Sequence, residues 1–197
     1  GKKTVSYELL VQLDWQVPDW VVVPAGDGNI ISGAWKGFRE ARELGLVDKT
    51  PRMLAAQSEK SNAITLAVQG DGVIRKVEAT TIADSISVDL PRDGEAAVKA
   101  VKQSNGAAQA VSDEEILAAQ KRLASSTGVF AEPAAACGFA AFEKAAAAGT
   151  FDKGSHVLVL VTGNGLKDVG AITSRLPDLP VVPPDVRAVE RALSFYR

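Results

Sequence analysis

Two glycine-rich turns contain the residues of this sequence whose types and spacing could bind a small ligand. The first turn, residues 23–29, follows an apolar run and leads directly into a helical pattern, and the second, residues 161–165, follows another apolar run. Glycine lets the backbone approach a ligand closely, and a helix N-terminus adds unpaired N–H groups and the positive end of its dipole. Both turns could be only tight connections. If they lie at the same edge of a sheet, however, a phosphate-binding site is as good an interpretation as a pair of tight connections.

The spacing of the glycines separates a single phosphate from a dinucleotide. A dinucleotide-binding turn needs Gly-x-Gly-x-x-Gly, so Gly26 and Gly28 would be followed by a glycine at the position of Ile31. The Walker pattern also fails, because no Gly-Lys-Ser/Thr follows the turn. A phosphate monoester is therefore the better prediction, and a nucleotide-binding module without chemistry of its own is the alternative.

The composition excludes several other kinds of site. The 197 residues carry 22 Lys and Arg against 24 Asp and Glu, and no block of five like charges occurs, so no nucleic-acid or anionic-membrane surface is expected. One cysteine and one histidine rule out a disulfide framework, a Cys-rich zinc site and the two-histidine metal motifs. The longest apolar run, residues 157–161, is far shorter than the roughly 20 residues of a membrane span.

Strands that alternate with helices must position these turns. Short apolar runs predict strands over Trp20–Pro24, 52–57, Ala107–Val111 and 156–161, with 73–77 as a further candidate. Helical spacing predicts helices over 4–13, 30–44, 61–68, 95–103, 112–125 and 133–148, followed by an extended segment over 176–184 and a last helix after Asp185.

This order of elements predicts a three-layer αβα fold, in which a mostly parallel sheet lies between two layers of helices. Ligands of such sheets bind beyond the carboxyl ends of the strands, where both glycine-rich turns fall. Cys137 stands in an apolar helix and is expected to be a buried structural thiol. His156 is expected at the surface, at the amino edge of the sheet and away from the ligand.

Six motifs, in this order, resemble the threonine synthase family of pyridoxal-phosphate (PLP) enzymes. They are WVVVPAGDGNI at 20–30, WKGF at 35–38, PRM at 51–53, VSDEEIL at 111–117, GVFAEPA at 128–134 and TGNGLKD at 162–168. Many fold type II PLP enzymes share the Glu-Pro pair and the Thr-Gly-x-Gly turn, whereas Gly-Leu-Lys-Asp is more particular to threonine synthases. The resemblance extends over nearly the whole chain and implies the large domain of a fold type II enzyme.

The resemblance also implies which residues bind the cofactor, and it implies no metal site. Thr162 would place its hydroxyl against the pyridine nitrogen, and Glu132 would lie near the edge of the cofactor. Asp27 must point away from the phosphate or cap the following helix, because a carboxylate beside a phosphate is repulsive. The 5′-phosphate of PLP would be held by the loop residues Gly26, Asp27, Gly28, Asn29 and Ile30.

The lysine that binds PLP as a Schiff base is not expected in this chain. In the family that lysine lies in the N-terminal half, whereas Lys167 follows the Thr-Gly-Asn-Gly turn and belongs to the C-terminal block. The only methionine is Met53, so no natural start is present. Residues 1–197 are therefore expected to be the C-terminal part of the PLP-binding catalytic domain, to contain no catalytic residue and to be inactive alone.

By the same resemblance, the complete enzyme would be a cytoplasmic homodimer that converts O-phospho-L-homoserine and water to L-threonine and phosphate. Cysteate synthase and threonine dehydratase are the alternatives within the class, because they share the cofactor loops and differ in the substrate pocket. A Rossmann-like nucleotide-binding module remains the alternative of another class.

Overall fold

The computed structural model describes residues 1–173 and 181–194. In these ranges the strands are β1 (Trp20–Pro24), β2 (Arg52–Ser58), β3 (Ala107–Val111) and β4 (Val157–Val159). The helices are α1 (Thr4–Gln12), α2 (Asn29–Glu43), α3 (Ala63–Gln69), α4 (Gly94–Gln103), α5 (Asp113–Thr127), α6 (Pro133–Ala147), α7 (Gly170–Thr173) and α8 (Val186–Ser194). No helix in the described part of the chain is both long enough and apolar enough to cross a membrane.

The four strands form one parallel sheet in the order β3-β2-β1-β4. Alternate residues of β1 enter different cores: Val21 and Val23 pack against α1–α4, whereas Trp20 and Val22 pack against α5 and α6. Burial on both faces explains why this strand is a continuous apolar run instead of an alternating one. The predicted three-layer αβα fold with a parallel sheet is therefore confirmed.

Local sequence signals explain where the helices begin and end. Ser112 accepts a hydrogen bond from the amide of Glu115, whose side chain accepts one from the amide of Ser112, so a capping box begins α5. Pro133 occupies the first turn of α6. Nine residues of α6 are buried, and most of them are alanine, so this helix packs closely on the sheet.

Three predicted segments have a different outcome. Residues 73–77 form no strand, because the Val77 amide bonds to the Asp89 carbonyl of a neighbouring loop and the segment has no place in the sheet. The predicted strand over 156–161 is shorter, since only Val157–Val159 pairs with β1 at the edge of the sheet. Much of the predicted extended segment over 176–184 lies outside the described residues.

The single cysteine and the single histidine lie where the sequence predicts. Cys137 is fully buried, and burial raises the pKa of its thiol well above the ordinary range. His156 is exposed, and its carbonyl accepts hydrogen bonds from the amides of Asp19 and Trp20 at the amino end of β1. His156 therefore lies at the amino edge of the sheet, and Cys137 lies inside the core between α6 and the sheet.

The buried amide of Gln57 joins the end of β1 to α3. Its Nε2 donates to the Ala25 carbonyl at 3.0 Å, and its Oε1 accepts from the Thr65 amide at 2.8 Å and from the Thr65 hydroxyl at 3.1 Å. Gln57 is only 1% exposed, so water cannot replace these bonds if the amide is removed.

We expect Gln57→Leu to lower the free energy of unfolding by about 2 kcal/mol, because it leaves buried backbone groups unpaired. Urea denaturation of the variant and the parent measures this difference. The matched control is Gln12→Leu on the exposed face of α1, which should change stability by less than about 0.5 kcal/mol. Equal stability of the two variants would contradict the assigned role of the amide.

Candidate functional site

The two glycine-rich turns lie side by side at the carboxyl edge of the sheet, since one follows β1 and the other follows its neighbour β4. They line one pocket of about 270 Å³. The pocket brings together all six residues that the sequence singles out, namely Gly26, Asp27, Gly28, Asn29, Ile30 and Thr162. Its other lining residues are Pro24, Ala25, Ser85, Ile86, Glu132, Ala134 and Lys167.

Residues 26–30 form a loop of unpaired backbone amides, which we call the amide cradle. The last sheet bond before it runs from the Ala25 amide to the Ala56 carbonyl, and the N–H groups of 26–30 donate to no acceptor in the described part of the chain. Gly28 is the N-cap of α2, with a φ of +89°, and no acidic side chain stands in the first turn of this helix. The cradle therefore presents N–H groups and the positive end of the helix dipole.

Glycine is required in the cradle for packing as well as for conformation. A Cβ at Gly26 would lie 2.9 Å from the Cα of Ile86. A Cβ at Gly28 would lie 2.8 Å from the Cβ of Ala97 and 2.9 Å from the carbonyl oxygen of Asp93. The positions of the amides are thus set by close contact with the 85–86 segment and the start of α4.

The carboxylate of Asp27 is held by the loop that precedes α4. It accepts a hydrogen bond from the Arg92 amide at 3.0 Å, while the Asp27 carbonyl accepts one from the Asp93 amide at 2.9 Å. The Asp93 carboxylate in turn accepts a bond from the Ser32 hydroxyl. Asp27 does not cap α2, so of the two expected arrangements the structure has the one in which this side chain is engaged elsewhere.

The second turn is clamped to the segment that leads into α6. The Glu132 amide donates to the Gly163 carbonyl at 2.9 Å, and the Gly165 amide donates to the Phe130 carbonyl at 2.8 Å. A Cβ at Gly163 would overlap the Glu132 carboxylate, and a Cβ at Gly165 would overlap the Phe130 ring. This clamp places Thr162 at the pocket.

A charged cluster that lines the same pocket consists of Ser85, Glu132 and Lys167. The Lys167 ammonium donates to the Ser85 hydroxyl at 2.8 Å and lies 3.3 Å from the Glu132 carboxylate, to which Ser85 donates at 3.4 Å. Sequence reasoning missed Ser85 altogether, because it lies in a short 3-10 helix (Asp84–Ile86) whose residues show no motif. For Lys167 the sequence predicts only that it is not the Schiff-base lysine.

The donors of the pocket fit pyridoxal phosphate. Unpaired amides at the start of α2 suit a phosphate dianion, and the carboxylate of Asp27, which would repel it, is bonded to the Arg92 amide. Thr162 adds a neutral hydroxyl in the same pocket. A larger residue at Gly26 would clash with Ile86, and one at Gly28 would clash with Ala97 and Asp93, so the cradle keeps its shape only with glycine at these positions.

Fold and pocket together fit a pyridoxal-phosphate-dependent enzyme, and comparison with known proteins shows that this is the class of the chain. Residues 1–163 match the family model described as pyridoxal-phosphate dependent enzyme, and the chain belongs to this family. Within it, the chain is 36% identical to the threonine synthase of Methanocaldococcus jannaschii over 98% of its length, and 40% identical to that of Mycobacterium tuberculosis over 99%. The chain covers 48% and 52% of those proteins, so it spans about half the length of the curated relatives it matches.

Solved structures of this fold are also similar to the chain. A fungal L-serine ammonia-lyase from Rhizomucor miehei has a TM-score of 0.70 and 22% identity to this chain. The match covers 89% of this chain and 55% of the lyase. A threonine synthase from Escherichia coli has a TM-score of 0.66 and 19% identity to this chain. The match covers 100% of this chain and 48% of that enzyme. At such identities the likeness establishes the fold alone.

Proposed function

We propose that this chain is part of a threonine synthase, which converts O-phospho-L-homoserine and water to L-threonine and phosphate. The observation that carries the proposal is the meeting of the amide cradle with the Thr162 turn in one pocket. The identity of 36–40% to threonine synthases supports this choice within the family.

In the proposed role, the amides of Gly26, Asp27, Gly28, Asn29 and Ile30 hold the 5′-phosphate of PLP. The Thr162 hydroxyl faces the pyridine nitrogen, and as a neutral partner it does not enforce a protonated ring as a carboxylate would. PLP supplies an electron sink for a carbanion, and a milder sink suits elimination and replacement more than transamination. The chain's own task is to bind and orient.

The lysine that binds PLP covalently is proposed to lie in a part of the protein outside residues 1–197. The proposal is supported by the bonds of Lys167 to Ser85 and Glu132, which engage the only lysine lining the described pocket. Borohydride reduction of the complete protein with PLP, followed by peptide mass spectrometry, should find the modified lysine outside this chain. A stable adduct on Lys167 would overturn this assignment.

The activity is tested with the complete protein and three substrates in parallel. O-phosphohomoserine should yield threonine and phosphate in equal amounts, whereas phosphoserine with sulfite and threonine alone should give little turnover. Phosphoserine with sulfite tests for a cysteate synthase, and threonine alone tests for a threonine dehydratase. Release of phosphate without threonine would contradict the proposed function.

We also propose a cellular location and an oligomeric state for the complete protein: it is a cytoplasmic homodimer. A related threonine synthase of Arabidopsis thaliana is chloroplastic, so location differs among relatives. Sedimentation of the complete protein measures the oligomeric state, and a monomer at micromolar concentration would contradict the dimer. Membership of the PLP-dependent family argues against the nucleotide-binding alternative, and a titration with NAD should detect no tight binding.

A further inference from the structure

The Glu132 carboxylate is buried at the N-terminus of α6, where charged or polar partners must compensate its lost hydration. Its side chain is only 6% exposed, and it stands at the start of α6 beside Gly163. Burial of a carboxylate costs free energy unless charged or polar groups compensate it. Lys167, whose side chain is 63% exposed, and Ser85 supply part of that compensation, and among the described residues that line the pocket Lys167 is the only cationic side chain.

The same carboxylate determines where the Thr162 turn can lie. Gly163 packs so closely on Glu132 that no side chain fits between them, and the Glu132 amide bonds to the Gly163 carbonyl. A displacement of Glu132 would therefore move the turn that carries Thr162. Lys167 belongs to the 3-10 helix that begins at Gly165, so it reaches back across its own turn to the carboxylate.

We propose that Lys167 is a positioning residue, which holds the Glu132 carboxylate against Gly163 and thereby fixes the Thr162 turn relative to the amide cradle. Its bond to Ser85 ties the cluster to the segment that contacts Gly26, so one ammonium joins both sides of the pocket. The inference rests on the proposed function only in that PLP is the ligand used to detect it. Lys167 acts through Glu132 and is not assigned contact with the substrate.

The test compares Lys167→Met, Lys167→Arg, Glu132→Gln and the double variant Lys167→Met/Glu132→Gln in the complete protein. PLP affinity and the absorption maximum of bound PLP are measured for each. Lys167→Met should weaken PLP binding about tenfold, which equals about 1.4 kcal/mol, and should shift the absorption maximum. Lys167→Arg should retain affinity within about twofold, because it keeps a cation near the carboxylate.

The double variant distinguishes a positioning role from an independent one. If Lys167 acts through Glu132, the double variant should bind PLP no more weakly than Glu132→Gln alone. Losses that multiply, or a Lys167→Met protein with parental affinity and spectrum, would overturn the inference. Thermal denaturation confirms that the variants fold, and Lys121→Met on the exposed side of α5 is the matched control. A parent protein that fails to bind PLP would instead overturn the proposed function.

Discussion

Replacing Gly28 by alanine is expected to weaken PLP binding by the complete protein on the order of 100-fold. Gly28 has a φ of +89°, a conformation that costs an L-residue about 1–2 kcal/mol. The added Cβ would also lie 2.8 Å from Ala97 and 2.9 Å from the Asp93 carbonyl, so the start of α2 must move away from α4. That movement displaces the amides on which phosphate binding depends. Titration of PLP into the variant, followed by absorbance, measures the loss.

Gly45 offers a control that separates backbone strain from displacement of the cradle. Its φ is +71°, and a Cβ there would meet nothing within 4 Å. Gly45→Ala should therefore lose about 1–2 kcal/mol of stability and no PLP affinity. Equal PLP affinity of the Gly28 and Gly45 variants would mean that the cradle does not hold the cofactor.

Replacing Asp113 by asparagine is expected to destabilise the protein by about 2 kcal/mol at neutral pH. The Asp113 carboxylate is nearly buried and accepts hydrogen bonds from the Thr81 hydroxyl at 2.6 Å and from the Lys60 ammonium at 2.9 Å. Because Lys60 is itself half exposed, solvent screens this ion pair and most of the loss comes from the buried hydrogen bonds. Urea denaturation measures the difference.

The pH dependence of this difference has a definite sign. Burial raises the pKa of Asp113, but the bonds from Thr81 and Lys60 outweigh it, so the folded-state pKa lies below the ordinary value. The carboxylate therefore stabilises the fold fully above the unfolded pKa of about 3.9, and this stabilisation is lost as the pH falls through the lower folded pKa.

The parent and Asp113→Asn should accordingly differ most at pH 7 and progressively less below about pH 4. The matched control is Asp152→Asn, at an exposed carboxylate with no side-chain bond in the described residues, which should change stability by less than about 0.5 kcal/mol. A difference between parent and Asp113→Asn that is independent of pH would show that the ionised form of Asp113 contributes nothing.

The sequence by itself determined most of the helices and strands and the place of the pocket. Strand β1 is a run of β-branched residues, α5 begins at a capping box, and the turns at 26–29 and 162–165 are rich in glycine. These signals are local, since each depends on residues within one or two turns of each other. Parallel strands then bring the two turns to the same edge, which is why all six expected residues line one pocket.

Only the tertiary structure decided how the pocket is charged and held. The Arg92 amide that engages Asp27 is 65 residues away, and the Ser85 hydroxyl that meets Lys167 is 82 residues away. No periodicity or motif relates residues at such separations, because their proximity results from the packing of whole elements around the sheet. For the same reason the sequence gives Glu132 and Lys167 no relation to each other, whereas the fold pairs the buried carboxylate with the ammonium that lines the same described pocket.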